Sequence, residues 1–362
     1  MKLLIDISIL LNAIGAVQGF TLAFIYFRKK SNQFANRILA AVLLAFSLII
    51  FNTVIILTGY NFQFPFYQDI SNVSLLVITP LLYAYVRLLA RSRVASIKVK
   101  YHLIPFFIYA SLLLIFYLLP IISTSMKDGI DAVYFVIFNV QVVSYLYLSF
   151  RCITTHDSGA KESFSNLQDI GLGWIKVILS SFAIAFLMHT AVLIIIISGV
   201  DVPQYIRLNV TLLWAAHIFL IGYRSLRHDR PVEVESVPKY LSSTLPPEKT
   251  KDVLSKLEQV MVNEKLYLNP NLTIAELAKT TGFQSRHISQ VVNQELERNF
   301  YDFVNFYRVQ EVKAKLRLPE FSHLTILGIA KECGFQSGSA FNAAFKKFVG
   351  KSPSAFRKGV SE

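Results

Sequence analysis

The chain has 362 residues, of which 54% are hydrophobic and 16% charged, and its formal net charge is +13. The hydrophobic share exceeds that of an ordinary soluble domain and the mean hydropathy is positive, which together exclude a simple soluble globular protein. Cys152 and Cys333 are too few for a disulfide framework, so we expect the soluble part of the chain to lie in a reducing compartment.

The apolar residues are concentrated in the first part of the sequence. Long apolar runs fill residues 3–226, whereas residues 231–362 alternate charged and apolar residues like a soluble helical protein. The first run is too long for the apolar region of a cleavable signal peptide, and it ends in the basic "RKK" at 28–30 rather than at a small-residue cleavage site. We therefore expect it to remain as a membrane helix.

Seven apolar stretches have about the 20-residue length that a helix needs to cross the hydrocarbon layer. They lie at 4–27, 38–59, 70–90, 102–122, 130–152, 172–198 and 203–226. The sequence thus predicts an all-α protein in which residues 1–226 form a seven-span transmembrane helix bundle. Because seven is odd, the two ends of this bundle lie on opposite sides of the membrane.

The distribution of lysine and arginine predicts the orientation. The connections on one side carry fifteen Lys/Arg residues, and those on the other side carry only Lys2, Lys127 and Arg207. Basic connections stay in the cytoplasm, so the N-terminus is predicted outside and the C-terminal soluble domain inside the cell. The predicted location is the bacterial inner (cytoplasmic) membrane, which the chain crosses several times.

Polar side chains within the predicted spans are candidates for sensing a signal, because such groups at membrane depth often mark function. They are Asn52, Asn139, Gln141, His189, Asn209 and His217. The alternative is that they form hydrogen bonds between helices, and for any single residue this alternative is the favoured one.

The sequence gives no indication of catalysis. The last span contains no lysine that could hold retinal, and His189 and His217 have no Cys/His cluster beside them for a metal or haem. No phosphate-binding loop, dinucleotide-binding glycine pattern or nucleophile elbow occurs. We expect a protein that is not an enzyme and that has no cofactor and no metal.

Residues 227–247 are rich in proline and charge and have no sustained period, which predicts a linker. A connecting region at 248–270 follows, in which apolar residues at helical spacing predict a helix. Its apolar stripe consists of Val253, Leu254, Leu257, Val260 and Met261. This stripe would pack either on the C-terminal domain or on a partner subunit.

Two segments of the C-terminal region repeat each other. "LTIAELAKTTGFQS" at 272–285 and "LTILGIAKECGFQS" at 324–337 share nine of fourteen residues. In each copy we predict a short helix, a turn at Gly282 or Gly334 with positive φ, and a second helix capped by Ser285 or Ser337. Thr273 and Glu276 form a capping-box pattern in the first copy. This is the helix-turn-helix plan, whose second helix enters the major groove of DNA.

The copies continue past their second helices. Asn299 and Ser352 are predicted to cap a further helix in each copy, with Pro353 at the first helical position of the second. The sequence "NFYDFVNFYRVQEVKAKLRL" predicts a long helix that joins the two units, with Phe303, Phe306, Tyr307, Val312 and Leu316 on its buried side. The aromatic residues Phe283, Phe335, Phe341, Phe345 and Phe348 are predicted in the core, as are Ile288, Val291 and Val292.

On these motifs, residues 271–358 resemble the tandem (double) helix-turn-helix DNA-binding domain of the AraC/XylS family of transcription factors. "FKKFVGKSPSAFRK", "FYRVQEVKAKL" and "ILGIAKECGFQS" all match the pattern of that family. The resemblance implies that the first recognition helix reads DNA bases with Arg286, Ser289 and Gln290, and the second with Ser339 and Asn342. Arg286 is the best candidate for specificity because a guanidinium can bond guanine O6 and N7 together.

Other residues are predicted to contact phosphate, which positions a protein on DNA without reading its sequence. They are Gln336, Ser337, Lys346 and Lys347, together with His287, which could equally be a plain surface residue. Many relatives have an arginine where this chain has Ala343, so we expect the first unit to select the sequence and the second to hold the duplex. Residues 271–358 carry thirteen basic and seven acidic side chains, a modest attraction for DNA.

The leading hypothesis is a membrane-embedded one-component transcriptional regulator, in which a signal at the bundle controls sequence-specific binding of double-stranded DNA. A transporter or membrane enzyme with a DNA-binding regulatory tail is the alternative, and a bundle that only anchors the domain is a third hypothesis. The expected partners are double-stranded DNA, membrane lipid and an unknown small-molecule or envelope signal. RNA polymerase and a second copy of the chain in a homodimer are further candidates.

Overall fold

A computed structural model of the chain describes residues 2–59, 67–90, 99–119, 124–168, 170–200, 202, 204–227 and 245–361. In this part of the chain the secondary structure is helical, and the one β-type pairing is an isolated antiparallel bridge between Phe164 and Thr273. The chain divides into two compact units. The first comprises 1–154 and 172–231, and the second comprises 155–171 and 232–362.

The helices of the first unit follow the predicted spans. They are α1 (Lys2–Arg28), α2 (Gln33–Leu57), α3 (Tyr67–Ala90), α4 (Val99–His102), α5 (Ile104–Leu118), α6 (Thr124–Ser163), α7 (Gly173–Ile197) and α8 (Gln204–Arg227), of which α6 ends in the second unit. Five segments among the described residues are long and apolar enough to cross a membrane: Asp6–Arg28, Gln33–Leu57, Ser71–Ala90, Ser125–Ser163 and Gly173–Ile196. The predicted spans at 102–122 and 203–226 coincide with the shorter apolar helices Ile104–Leu118 and Val210–Arg224, so the number seven stays a prediction.

Helices α1 and α8 lie side by side and run in the same direction. The Asn12 side chain accepts a hydrogen bond from Thr211 at 2.9 Å, a Cβ on Gly15 would lie 2.6 Å from the Ala215 Cβ, and one on Gly222 would lie 2.5 Å from Leu22. Residue numbers thus increase together along both helices. Glycine at these positions lets the two backbones approach closely, as is common between membrane helices.

Helix α5 and the short helix α4 before it contact the neighbours α3 and α6. In α4, just before the start of α5, His102 Nδ1 lies 2.8 Å from the Tyr145 hydroxyl, and both rings contact Tyr83. At the other end of α5, the Tyr117 hydroxyl donates to Asp69 at 2.6 Å, and Lys127 donates to the same carboxylate at 3.2 Å. Helix α5 therefore covers about the same length of the bundle as the facing parts of α3 and α6.

Helix α6 is longer than the predicted span at 130–152. It has 40 residues, which correspond to about 60 Å at 1.5 Å per residue. A hydrocarbon layer is about 30 Å thick, so a helix of this length extends well beyond it. The additional turns at its C-terminal end belong to the second unit.

The second unit contains seven further helices among its described residues. They are α9 (Pro247–Val262), α10 (Ile274–Thr281), α11 (Ser285–Gln294), α12 (Phe300–Arg317), α13 (Ile326–Glu332), α14 (Gly338–Val349) and α15 (Pro353–Ser361), with short 3₁₀ helices at Leu266–Leu268 and Pro319–Phe321. The predicted linker at 227–247 lies mostly outside the described residues, which resume at Leu245.

The second unit has two hydrophobic cores, and α12 contributes to both. The first joins α9, α10, α11 and the start of α12, and it includes all of the predicted apolar stripe of α9. The stripe therefore packs on the C-terminal domain, which decides between the two predicted alternatives. The second core joins the end of α12 to α13, α14 and α15. Of the predicted core residues, Ile288, Val291, Val292, Phe303, Val312, Leu316, Phe335, Phe341 and Phe345 are buried, whereas Phe283, Phe306, Tyr307 and Phe348 are partly buried.

The turns of the repeat follow the predicted chemistry with one exception. Gly282 and Gly334 have φ of 76° and 90°, and Thr273 with Glu276 forms the capping box. Ser337 caps α14 by accepting from the Ala340 amide. The prediction for Ser285 was wrong, because α11 begins at this residue and its N-cap position is Gln284, whose side chain makes no capping bond. The second helix of each copy therefore begins at a different place relative to GFQS: at its last letter, Ser285, in the first copy, and one residue after it, at Gly338, in the second.

Candidate nucleic-acid interface

Helix α11, the predicted recognition helix of the first repeat copy, has its predicted base-reading residues in different environments. Arg286 is exposed and His287 is half-buried. Ser289 and Gln290, by contrast, are only 2% and 3% exposed. A side chain must reach the edge of a base to read it. In this conformation Arg286 is therefore accessible to DNA, whereas Ser289 and Gln290 are not.

The predicted DNA-contacting residues of α14, in the second repeat copy, are more exposed than those of α11. Ser339 and Asn342 are exposed, as are Ala343, Lys346 and Lys347. The Lys347 ammonium pairs with Asp302 at 2.6 Å, so a phosphate contact by this residue would compete with that ion pair. Gln336 and Ser337 precede the helix and are half-buried. The surface that the resemblance assigns to DNA is therefore continuous on α14.

The buried face of α11 is in contact with the end of α6. One carboxylate oxygen of Glu162 accepts a hydrogen bond from the Asn293 side-chain amide at 2.9 Å and from the Ser289 hydroxyl at 3.3 Å. Asn293 also donates to the Ser289 backbone carbonyl at 2.9 Å. An acidic side chain thus occupies the polar edge of the recognition helix.

The residues after α6 contact the turn that precedes the second recognition helix. The Asn166 side chain donates to Gln336 at 2.6 Å, and Gln336 in turn donates to Asn271 at 2.7 Å. The Ser165 backbone amide donates to the Leu272 carbonyl at 3.1 Å, next to the bridge between Phe164 and Thr273. Residues 155–171, which we call the 155–171 segment, therefore reach both helix pairs of the repeat.

The Arg308 guanidinium of α12 lies at the centre of this arrangement and is 1% exposed. It donates to the Tyr267 and Asn269 carbonyls at 2.8 and 2.7 Å, and to Asn305 at 3.2 Å. It also donates to the carbonyl and to the hydroxyl of Ser165, each at 3.1 Å. Burial lowers the pKa of Arg308 to about 10, which leaves the side chain charged at neutral pH. The charge is compensated by polar oxygens, two of which belong to the 155–171 segment.

Two other titratable groups of this unit have shifted pKa values. Burial, followed by the nearby positive charges of Lys249 and Arg286, lowers the pKa of His287. This residue is therefore neutral at pH 7 and is a poor cation for a phosphate. Burial raises the pKa of the Cys333 thiol to about 12, so the thiol stays protonated in the core behind α14.

The candidate sensing residues of the first unit mostly have partners on neighbouring helices. Asn52 donates to Ser71 at 2.7 Å, Gln141 donates to the Leu76 carbonyl at 2.6 Å, and Thr190 donates to Asn139 at 3.5 Å. His217 Nε2 lies 3.1 Å from Ser181 Oγ, and the His189 ring packs near Trp214. The Asn209 side chain lies outside the described part of the structure. These contacts favour interhelical hydrogen bonding.

Sequence reasoning missed a charged cluster in the first unit. Lys127 bridges Asp69 and Asp131 at 3.2 and 3.1 Å, while the Tyr117 and Tyr109 hydroxyls donate to these two carboxylates at 2.6 and 3.0 Å. Asp69 is 5% exposed. The spacing of Lys127 and Asp131 by four residues is the one pattern that could have indicated a pair. The role of the 155–171 segment was missed as well, because its polar sequence is typical of a connecting loop.

Comparison with known proteins places the similarity in the C-terminal region. A family model described as a helix-turn-helix domain matches residues 277–359. An uncharacterized HTH-type transcriptional regulator of Staphylococcus aureus (strain COL) is 29% identical over 102 residues, which are 28% of this chain and 13% of that protein. The chain therefore spans a small part of the length of the staphylococcal relatives it matches.

Two further relatives match a similar share of this chain. The Msm operon regulatory protein of Streptococcus mutans is 26% identical over 118 residues, which cover 30% of this chain and 41% of that protein. An HTH-type transcriptional regulator of Mycobacterium tuberculosis is 31% identical over 88 residues, or 24% of this chain and 33% of that protein. No solved structure matches the chain. The C-terminal region is thus similar to helix-turn-helix transcriptional regulators of the AraC type, which supports regulation by DNA binding.

Proposed function

We propose that this protein is a membrane-embedded, one-component transcriptional regulator of the AraC type, whose cytoplasmic C-terminal domain binds specific DNA sequences. The observation that carries the proposal is the repeated pair of helices, α10 with α11 and α13 with α14, within the region that matches helix-turn-helix regulators. In this proposal Arg286, Ser289, Gln290, Ser339 and Asn342 read bases, and Gln336, Ser337, Lys346 and Lys347 contact phosphates.

The second unit consists of two segments, residues 155–171 and 232–362, which supports an even number of membrane crossings between residues 171 and 232. The 155–171 segment packs with the helices from α9 onward, so both lie on one side of a membrane. Helix α7 is long and apolar enough to cross. Helix α8 must then cross as well, because one crossing alone would separate the two parts of the unit.

The packing of the first unit supports the remaining crossings. Helix α4 bonds α6 through His102, and the far end of α5 bonds α3 through Tyr117, so α5 runs alongside them although it is shorter. Helices α1 and α8 correspond to the first and the seventh predicted spans. They are parallel, as the first and seventh spans of a bundle with alternating directions must be. Together with the excess of Lys/Arg on one side, this supports seven spans with the N-terminus outside.

We further propose that the bundle senses the signal, and the charged cluster of Asp69, Lys127 and Asp131 is the strongest candidate for a sensing element. Asp69 is buried, and a buried charge is costly unless it is paired. In the proposed orientation the cluster lies at the outer end of the bundle, since α3 and α6 start there and α5 ends there.

Chromatin immunoprecipitation of the intact protein tests the DNA-binding proposal. Wild type should enrich discrete chromosomal sites, and Arg286→Ala should lose them, because loss of a base contact by arginine costs about 1–3 kcal/mol of discrimination. Lys251→Ala is the matched control, since it removes one charge from an exposed position on α9. Absence of enriched sites for wild type under inducing and non-inducing growth would refute the proposed function.

A further inference from the structure

We propose that the 155–171 segment is an autoinhibitory element that covers the Ser289 and Asn293 face of α11 and must leave it before that face can read DNA. This inference rests on the proposed function, because it concerns the same DNA-binding surface. It adds a second route of control, since α6 joins the membrane bundle to the recognition helix without passing through the linker at 227–247.

The first argument is that the segment occupies the groups that DNA would need. The Ser289 hydroxyl and the Asn293 amide are both bonded to Glu162, and Ser289 is 2% exposed. Contact with a base edge or a phosphate requires these donors to be free and accessible. A carboxylate at this position also repels the phosphate backbone. The covered conformation is therefore incompatible with base reading by Ser289.

The second argument is that the segment is attached at several points of the DNA-binding domain. Besides Glu162 on α11, Ser165 bonds Arg308 of α12 and the backbone before α10, and Asn166 bonds Gln336 before α14. Gln336 is one of the proposed phosphate contacts. The segment thus contacts α11 in the first repeat copy and the residue Gln336 just before α14 in the second copy.

The third argument is that these contacts can be broken without unfolding the domain. Water can replace the hydrogen bonds from the segment to the DNA-binding helices when the segment leaves. Arg308 would keep its bonds to the Tyr267 and Asn269 carbonyls and to Asn305. The two cores behind the recognition helices are built from α9–α15 and do not include the segment.

The continuity of α6 supplies the mechanical link. This helix begins at Thr124, passes Lys127 and Asp131 of the charged cluster, and ends at Ser163, next to Glu162. A helix transmits a shift or rotation of one end to the other because its backbone hydrogen bonds make it stiff. A signal that changes the position of α6 would therefore change the contact of Glu162 with α11.

A disulfide that locks the segment in place tests the proposal in the full chain reconstituted in lipid nanodiscs. Phe164 and Thr273 form an antiparallel bridge, in which opposite Cα atoms are about 4.5–5.5 Å apart, within the range that a disulfide bridges. The variant Phe164→Cys with Thr273→Cys is made in a Cys152→Ser background. Sheared chromosomal DNA of the source organism is the probe, and the fragments recovered by oxidised and reduced protein are sequenced.

We expect the oxidised double variant to recover no specific fragments and the reduced form to recover those that wild type recovers. Each single-cysteine variant should be insensitive to oxidation, which controls for the loss of the Thr273 cap. Recovery of the same specific fragments, in equal amounts, by the oxidised and reduced forms would overturn the autoinhibition while leaving the proposed function intact. If neither form nor wild type recovers specific fragments, and the Glu162 variant below recovers none either, the proposed function itself fails and the inference fails with it.

A second variant tests the contact at α11 directly. Glu162→Ala removes the acceptor of two hydrogen bonds and should raise the recovery of specific fragments about tenfold, since each bond contributes a factor of several to the closed state. Glu264→Ala is the matched control, because it removes an exposed carboxylate from the same unit. An unchanged or lower recovery with Glu162→Ala, alongside unchanged recovery with the control, would contradict the role given to this residue.

Discussion

Replacing Arg308 by alanine should strongly destabilise the second unit, even though no carboxylate pairs with this arginine among the described residues. The guanidinium makes five hydrogen bonds to five oxygen atoms and is 1% exposed. Removing one partner of a buried polar network leaves the remaining groups without a partner, which costs about 1–3 kcal/mol for each group that stays dry.

The magnitude follows from the balance of two effects. The substitution leaves the Tyr267 and Ser165 carbonyls without their Arg308 donor and creates a cavity, while it removes the cost of burying a charge. Breaking a buried charged network by deleting one member typically costs about 3–5 kcal/mol, and we expect a value in this range. Total stabilities of domains are about 5–15 kcal/mol, so the loss would be a large fraction.

Pulse proteolysis of the full chain in nanodiscs across a urea series measures the effect, with peptides of the second unit followed by mass spectrometry. Arg317→Ala is the matched control, because Arg317 is on the same helix, is exposed, and contacts only the Phe356 ring among the interactions described, at 5.5 Å. Its cost should stay below about 1 kcal/mol.

The pH dependence provides an internal check. Burial lowers the pKa of Arg308 to about 10, so the side chain is protonated in the folded and the unfolded state at every pH below that value. The difference between wild type and Arg308→Ala should therefore be constant between pH 6 and 8. Equal urea midpoints for Arg308→Ala and Arg317→Ala would refute the reasoning.

Three further predictions follow from the structure. Cys333 should resist N-ethylmaleimide at pH 8 in the folded protein and react after denaturation, because burial raises the pKa of its thiol to about 12; alkylation of the native protein, read by mass spectrometry, would contradict this. Lys346→Gln should lower the slope of log binding constant against log salt concentration by about one unit. His287→Gln should leave this slope unchanged, because the lowered pKa of His287 leaves it neutral at pH 7. Equal slopes for the two variants in a salt titration would argue against both assignments. Gly15→Leu should reduce the thermal stability of the bundle in detergent, since even a Cβ would lie 2.6 Å from the Ala215 Cβ, while Gly129→Leu, in open space, serves as the control and should have little effect.

Local sequence determined much of the second unit. The spacing of apolar residues predicted which face of α9 and α12 is buried, and the letters of the repeat predicted the capping box at Thr273 and the positive φ of both turn glycines. These features depend on interactions within a few residues, where residue type and conformation are closely linked. The exception was Ser285. A difference of one residue in where the helix begins changes which residue is its cap, and α11 begins one residue earlier than the prediction required.

The apolar pattern also determined the approximate limits of the long apolar helices of the first unit, because length and hydropathy are read directly from the sequence. It did not determine their partners. The charged cluster joins Asp69 to Lys127, which lies 58 positions away, and hydropathy contains no information about which helix ends meet. The parallel packing of α1 and α8 is likewise a property of the folded bundle.

The sequence by itself determined that this protein joins an apolar helical region to a helix-turn-helix domain, because period, length and turn residues are local signals. Only the tertiary structure decided that the 155–171 segment belongs with that domain, where Glu162 bonds residues of α11 more than 120 positions away. The segment is short, polar and without periodicity, so its sequence alone resembles any connecting loop. Its position follows from hydrogen-bonding groups of other helices that it meets only after folding.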